Sequence, residues 1–134
     1  MPAKPRRGDV VLLPFPFADL TSTKVRPALV LSSSLYHKSE PDIIVAAITS
    51  NVAAHQGPTD YTLQDWRRSG LLAPSVVKVS LATVEPSLVY HRLGRLTDRD
   101  LKEVEKRLRL ALGPVSRPDT EASGYITPSP LRLL

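Results

Sequence analysis

The chain has 134 residues, 42% of them hydrophobic and 23% charged, with 18 Lys and Arg against 13 Asp and Glu, 13 Pro, six Gly and no Cys. That length and composition suit one compact domain with a real core and argue against two full domains or a wholly disordered chain. Lack of cysteine excludes disulfides, thiolate nucleophiles and iron–sulfur clusters, and a formal net charge of +5 favours a polyanion or an acidic protein as partner.

No apolar run approaches the ~20 residues of a membrane span, and no signal peptide follows the basic N-terminus, so the expectation is a soluble cytoplasmic protein. Val10-Val11-Leu12-Leu13, opened by Gly8-Asp9 and closed by Pro14 and Pro16, reads as a strand bounded by breakers. Residues 18–24 form a polar loop. The apolar runs 27–31 and 43–48 have strand length and read as buried strands, with polar residues 32–42 between them. A short strand over 60–63, one or two helical turns over 65–68 ending near Gly70, and strands over 75–80 and 82–85 come next.

The clearest helix covers residues 98–112. Thr97 is a good N-cap with Asp100 three residues on, Leu101, Val104 and Leu108 form an apolar stripe, and Gly113-Pro114 is a stop. Asp98–Lys102, Glu103–Arg107 and Glu105–Arg109 have the spacing of i,i+4 ion pairs. Pro114, Pro118, Pro128 and Pro130 punctuate the C-terminal segment, so residues 1–113 read as the domain and 114–134 as an extended or disordered tail.

Enzyme signatures are sparse. There is no P-loop, GxGxxG, GxSxG or HExxH, the three His lack metal-ligand spacing, and the acids do not cluster as in a two-metal nuclease. Polar residues at strand ends remain: Arg26 before PALVLS, and Thr49-Ser50-Asn51 after IIVAAI. Taken singly, each has a plain reading as a solvated arginine or as turn chemistry. Lys4, Arg6, Arg7, Lys24, Arg67, Arg68 and Lys78 would make a phosphate-binding groove if gathered on one face. Phe17 and Trp66 are candidates for stacking on bases or for core roles.

In order, GDVVLLPFPF, VRPALVLSS, DIIVAAITSN, GLLAPSVVKVS and SLVYHRLGRLTDRDLKEVEKRLRLALG resemble the PemK/MazF family of bacterial type II toxin–antitoxin toxins over residues 7–113. The resemblance implies a mainly β (α+β) fold, a small SH3-like β-barrel with a C-terminal helix. It implies a homodimer, endoribonuclease activity on single-stranded RNA without metal or cofactor, and an antitoxin partner with an acidic, disordered segment. By the same resemblance Arg26 and Thr49 match the catalytic residues, and Lys24, Ser50, Asn51 and Lys78 are candidate RNA contacts.

Cleavage of this type uses the ribose 2′-OH as nucleophile and needs a proton acceptor, a proton donor and a cation on the phosphorane. Arg26 suits the cationic role, because its pKa above about 12 makes it a poor base. The acceptor is open between His37 and a residue of the 18–24 loop. That loop, ADLTSTKV, lacks the Glu and Gln of many family members. This departure motivates the alternative of a non-catalytic SH3-like module that binds nucleic acid or an antitoxin peptide.

Overall fold

The computed structural model describes residues 4–14 and 24–113. Phe17, residues 18–23 of the expected loop and the tail 114–134 lie outside the described residues. Six strands, β1 (Asp9–Pro14), β2 (Val25–Val30), β3 (Ile43–Thr49), β4 (Tyr61–Thr62), β5 (Val76–Val84) and β6 (His91–Arg95), form one antiparallel sheet in the order β4-β5-β3-β2-β1-β6. Two helices complete the fold, α1 (Ser34–Ser39) and the C-terminal α2 (Asp98–Leu112). The result is a curled half-barrel carrying a C-terminal helix, the mainly β, α+β architecture expected. No helix among the described residues is long and apolar enough to cross a membrane.

β1, β2 and β3 read as continuous apolar runs because both of their faces are covered. On one face Val10, Leu29, Ala46, Ile48 and Val77 pack with Leu96 and with Val104 of α2. On the other, Val11, Leu13, Ala28, Val30, Val45 and Ala47 pack with Val84, and Val89 lies against them. Alternation along each strand therefore sorts hydrophobic side chains between two clusters instead of between core and water.

Several local expectations change. Residues 32–42 contain α1, capped by the Ser33 hydroxyl, which accepts the Tyr36 N–H; it buries none of its residues, so no apolar stripe marks it. Residues 66–70 form hydrogen-bonded turns instead of a helix. The two strands expected over 75–85 are one, β5. β6 has no apolar alternation and forms by pairing with β1 across a bulge that skips Leu93. On α2 the Glu103–Arg107 pair forms at 3.0 Å, whereas Glu105 meets Arg7 of the N-terminal segment.

The edges β4 and β6 are joined through the 65–70 turn. A Cβ on Gly70 would come within 2.2 Å of the Leu93 carbonyl oxygen, and one on Gly94 within 2.5 Å of the Ser69 carbonyl oxygen. Backbone thus meets backbone across the gap, which only glycine allows. The same region is pinned by Asp100, the third residue of α2 and wholly buried. Its carboxylate accepts the Tyr61 hydroxyl at 2.6 Å and the N–H groups of Gln64 at 3.1 Å and Asp65 at 2.8 Å. Thr97 caps the helix as expected by accepting the Asp100 N–H at 3.4 Å.

Truncating Asp100→Ala leaves three buried or half-buried donors without an acceptor and is expected to cost about 3 kcal/mol in denaturant unfolding. Burial, reinforced by the hydrogen bond to Asp100, raises the Tyr61 hydroxyl well above its ordinary value. The unfolded tyrosine titrates near pH ~10, so above that pH the unfolded state loses its proton first and stability falls. Unfolding curves over about pH 8–11 should show this loss in the wild type and a shallower one in Tyr61→Phe.

Candidate active site

Arg26 and Thr49 lie at the same end of adjacent strands. Ala28 pairs with Ala47, and the same register continued by two residues sets Arg26 opposite Thr49. Arg26 also pairs with Leu13 on its other side, and Thr49 with Val76, which in turn pairs with Thr62 of β4. One transverse row thus crosses five strands at one end of the sheet. Arg26 lies in step with Ala28 and Val30, and Thr49 with Val45 and Ala47, so both belong to the rim of the same face.

Pro27 explains why this row is open. The β2–β3 pairing runs from Val30 back to Ala28 and stops there, where proline has no N–H to continue a ladder. Beyond it no further β2–β3 pair forms among the described residues. Arg26 is exposed, and its side chain has no hydrogen bond or ion pair among the described residues. Thr49, half-buried, accepts the Asn51 N–H at its Oγ1 at 3.1 Å. That bond fixes the hydroxyl and leaves its own proton free to donate.

The other expected contacts divide. Lys24, directly before β2, is exposed, as are Ser50 and Asn51 in the turn after Thr49. Lys78 lies in step with Val76 on β5, but its Nζ holds Asp60 Oδ1 at 3.3 Å. Burial pushes the Asp60 carboxyl up, and the Gly57 N–H and Lys78 outweigh it, so the group stays below its ordinary value. Asp60 and Gln56, whose amide donates to the Thr62 hydroxyl at 3.2 Å, thereby border the row. Nothing in the sequence marked them as site residues, because Gln56 lies in a stretch that reads only as polar and Asp60 reads as the start of a short strand.

His37 is not beside Arg26 and Thr49. Its Nε2 is 2.5 Å from the Ser32 hydroxyl, which also accepts the Ile44 N–H at 2.9 Å. Ser32 is six residues beyond Arg26, about 20 Å along an extended chain. Burial, with Lys4 adding to it, lowers the His37 pKa. Trp66 packs against the core and carries the Arg67 guanidinium 4.8 Å from its ring centroid. The basic residues do not gather in one groove: Lys4 bonds the His37 and Glu40 carbonyls, Arg7 the Leu31 carbonyl and Glu105, and Arg68 lies beside Arg95 and Arg99.

A groove of about 1100 Å³ opens between the N-terminal segment, Asp42 and residues 85–92; it reaches Tyr90, whose N–H bonds the Leu12 carbonyl at 2.8 Å next to Leu13 of the row, and none of the six expected site residues lines it. Among the described residues no group of three or more His, Cys, Asp or Glu is arranged to hold a metal ion.

A family model described as PemK-like, MazF-like toxin of type II toxin–antitoxin system matches residues 6–112. The chain is 26% identical over 114 residues to Endoribonuclease MazF of Staphylococcus saprophyticus, covering 81% of this chain and 91% of that relative. Among solved structures, an endoribonuclease in complex with its cognate antitoxin from Mycobacterial species superposes with a TM-score of 0.67 at 21% identity, over 84% of this chain and 99% of that one. MazF of Deinococcus radiodurans gives 0.65 at 25% identity, over 84% and 100%.

Because Arg26 is solvated and unpaired among the described residues, Arg26→Ala should leave unfolding free energy within about 0.5 kcal/mol of wild type. Lys78→Met should instead raise the Asp60 titration, followed by carboxyl NMR shifts, while Arg26→Ala leaves that titration in place.

Proposed function

The chain belongs to the PemK-like, MazF-like toxin family of type II toxin–antitoxin systems, and from that premise we propose that it is an endoribonuclease that cuts single-stranded RNA at selected sequences without a metal ion. The observation that carries this reading is the placement of a guanidinium unpartnered among the described residues, Arg26, and an oriented hydroxyl, Thr49, at the same end of adjacent strands, two residues beyond the Ala28–Ala47 pair.

In this reaction the ribose 2′-oxygen forms a bond to the adjacent phosphorus and the bond from phosphorus to the 5′-oxygen breaks. The products are a 2′,3′-cyclic phosphate and a 5′-hydroxyl. One proton leaves the 2′-OH and one arrives at the departing 5′-oxygen, so no net proton is consumed. Arg26 suits the phosphorane: its planar fork holds two non-bridging oxygens at once and its charge is permanent. Once the bound strand displaces water, that charge acts where negative charge develops. Thr49 would donate its hydroxyl proton to a phosphate oxygen while the Asn51 N–H fixes its oxygen. Lys24, Ser50 and Asn51 border the row and are proposed to hold flanking nucleotides, with Lys78 exchanging Asp60 for a phosphate.

The proposed partner is an antitoxin with an acidic segment, in keeping with the formal net charge of +5 and with the solved relative that is titled as a complex with its cognate antitoxin. The protein is proposed to act as a homodimer in the cytoplasm. Among the described residues β4 pairs with β5 only at Val76 and Val77, so the β5 edge beyond them, with Leu81 exposed, offers backbone groups to a second chain.

Purified protein incubated with mixed-sequence single-stranded RNA in EDTA should yield fragments ending in 2′,3′-cyclic phosphate and beginning with 5′-hydroxyl, read by end-group analysis and mass spectrometry. Arg26→Ala should lower kcat by at least about 100-fold with the fold intact, and Thr49→Ala should lower it less. RNA that a folded dimer binds but leaves intact, or cutting that EDTA abolishes, would overturn the reading; the first result would favour the binding module.

A further inference from the structure

A second cluster of arginines lies apart from Arg26. Asp65, Arg68, Arg95, Thr97, Asp98 and Arg99 line a concavity of about 510 Å³ beside the start of α2. Asp65 on its wall is already occupied: it takes Nε and Nη2 of Arg99, each at 2.8 Å, and the Thr97 hydroxyl at 2.7 Å. The Arg99 fork, with Thr97 second, holds that carboxyl down at about 2. Arg95 spends one nitrogen, Nη1, on the Arg7 carbonyl at 2.8 Å and on Asp9 at 3.3 Å. Asp9 is shared with Arg92 at 3.2 Å, so two guanidiniums divide one carboxylate.

Arg68 is different. It is exposed and has no hydrogen bond or ion pair among the described residues, and Arg67 beside it is stacked on Trp66. Three arginines, 68, 95 and 99, line the concavity with two acids, Asp65 and Asp98, and Asp65 is consumed by Arg99. The local excess is positive, and Arg68 is its least engaged member.

We propose that this concavity is a second anion site, in which Arg68 and the unspent N–H groups of Arg95 hold a backbone phosphate of single-stranded RNA beyond the bond that Arg26 and Thr49 act on. The inference rests on the endoribonuclease reading for the identity of the polyanion. Separation favours a nucleic-acid strand. Thr62 is two strands from Thr49 in the transverse row, about 10 Å, and Asp65 is three residues further, at most about 10 Å more. A strand of several nucleotides can span that path, and its regularly repeated phosphates present the same oxygen fork to both arginine sites.

The test uses 2′-O-methyl single-stranded RNA, which lacks the 2′-OH nucleophile, labelled for fluorescence anisotropy in a short form that fills only the Arg26–Thr49 row and a longer form. Wild type should bind the longer form about tenfold more tightly, and Arg68→Ala and Arg68→Glu should lose most of that gain. The logarithmic salt dependence should fall by about 0.7 for the one phosphate lost, and Arg68→Lys should keep both affinity and slope. All variants should bind the short form alike. The proposal is overturned if Arg68→Glu binds the longer form like wild type, or if it weakens binding of a polyglutamate peptide and not of RNA. Wild type that binds neither RNA form overturns both this site and the endoribonuclease reading. Length-dependent binding that requires Arg68, in a protein that leaves unmodified RNA uncut, sustains this site and overturns cleavage alone.

Discussion

The carboxylate of Asp100 governs how the half-barrel closes. A buried charge is tolerated only when hydrogen bonds replace its hydration, and here the three replacements come from Tyr61 in β4 and from the backbone of Gln64 and Asp65 just after it. β4 has only two paired residues, too few to hold an edge by ladder bonds alone. Its position therefore depends on the start of α2. Arg107, one face along the same helix, places its guanidinium 5.2 Å from the Tyr61 ring centroid and adds a second hold on that strand. Through Thr62 and Val76 the fixed position of β4 passes to Thr49, so a helix remote from the row helps to set it.

Opposite constraints meet at Pro27. Within the sheet, proline ends the β2–β3 ladder, which weakens that end and would ordinarily count as a defect. Val10, Val11, Leu13, Ala28, Leu29 and Val30 are fully buried immediately beyond it, so the core tolerates the loss. Thr49 is half-buried, and the turn it accepts from Asn51 ends β3 at the point where β2 has stopped pairing.

How much of this was legible depends on whether the deciding interaction is local. α2 was legible to the residue, because Thr97, the Leu101–Val104–Leu108 stripe and Gly113 are all within its own span or directly flank it. β1, β2 and β3 were legible as apolar runs. α1 was not, since Leu35 is 77% exposed and the helix is fixed by its cap and by Lys4 reaching its C-terminal carbonyls. β6 has exposed ends and owes its existence to β1. Arg26 and Thr49 could be named from the family resemblance, but their facing positions follow from a pairing of residues 28 and 47 that no local pattern encodes. Lys78 looked free because its partner, Asp60, is 18 residues away.

Charge is divided in a way that separates binding from chemistry. Arg7, Arg92, Arg95, Arg99 and Arg107 each meet a carboxylate and so contribute to holding α2, β6 and the N-terminal segment together. A guanidinium committed in this way serves a ligand only with the N–H groups its carboxylate leaves over. Arg26 has no such partner among the described residues to give up. In the free protein its field is screened by solvent and adds little to stability, while under a bound strand the same charge acts in a medium of lower dielectric. In the proposed reaction the stabilisation it supplies would be small in the empty site and large when charge builds on phosphorus, which is the differential that accelerates a reaction. An arginine that holds the strand away from the reacting bond would act equally on bound substrate and transition state and alter affinity alone, which under the proposed reading leaves the chemical step to Arg26 and Thr49.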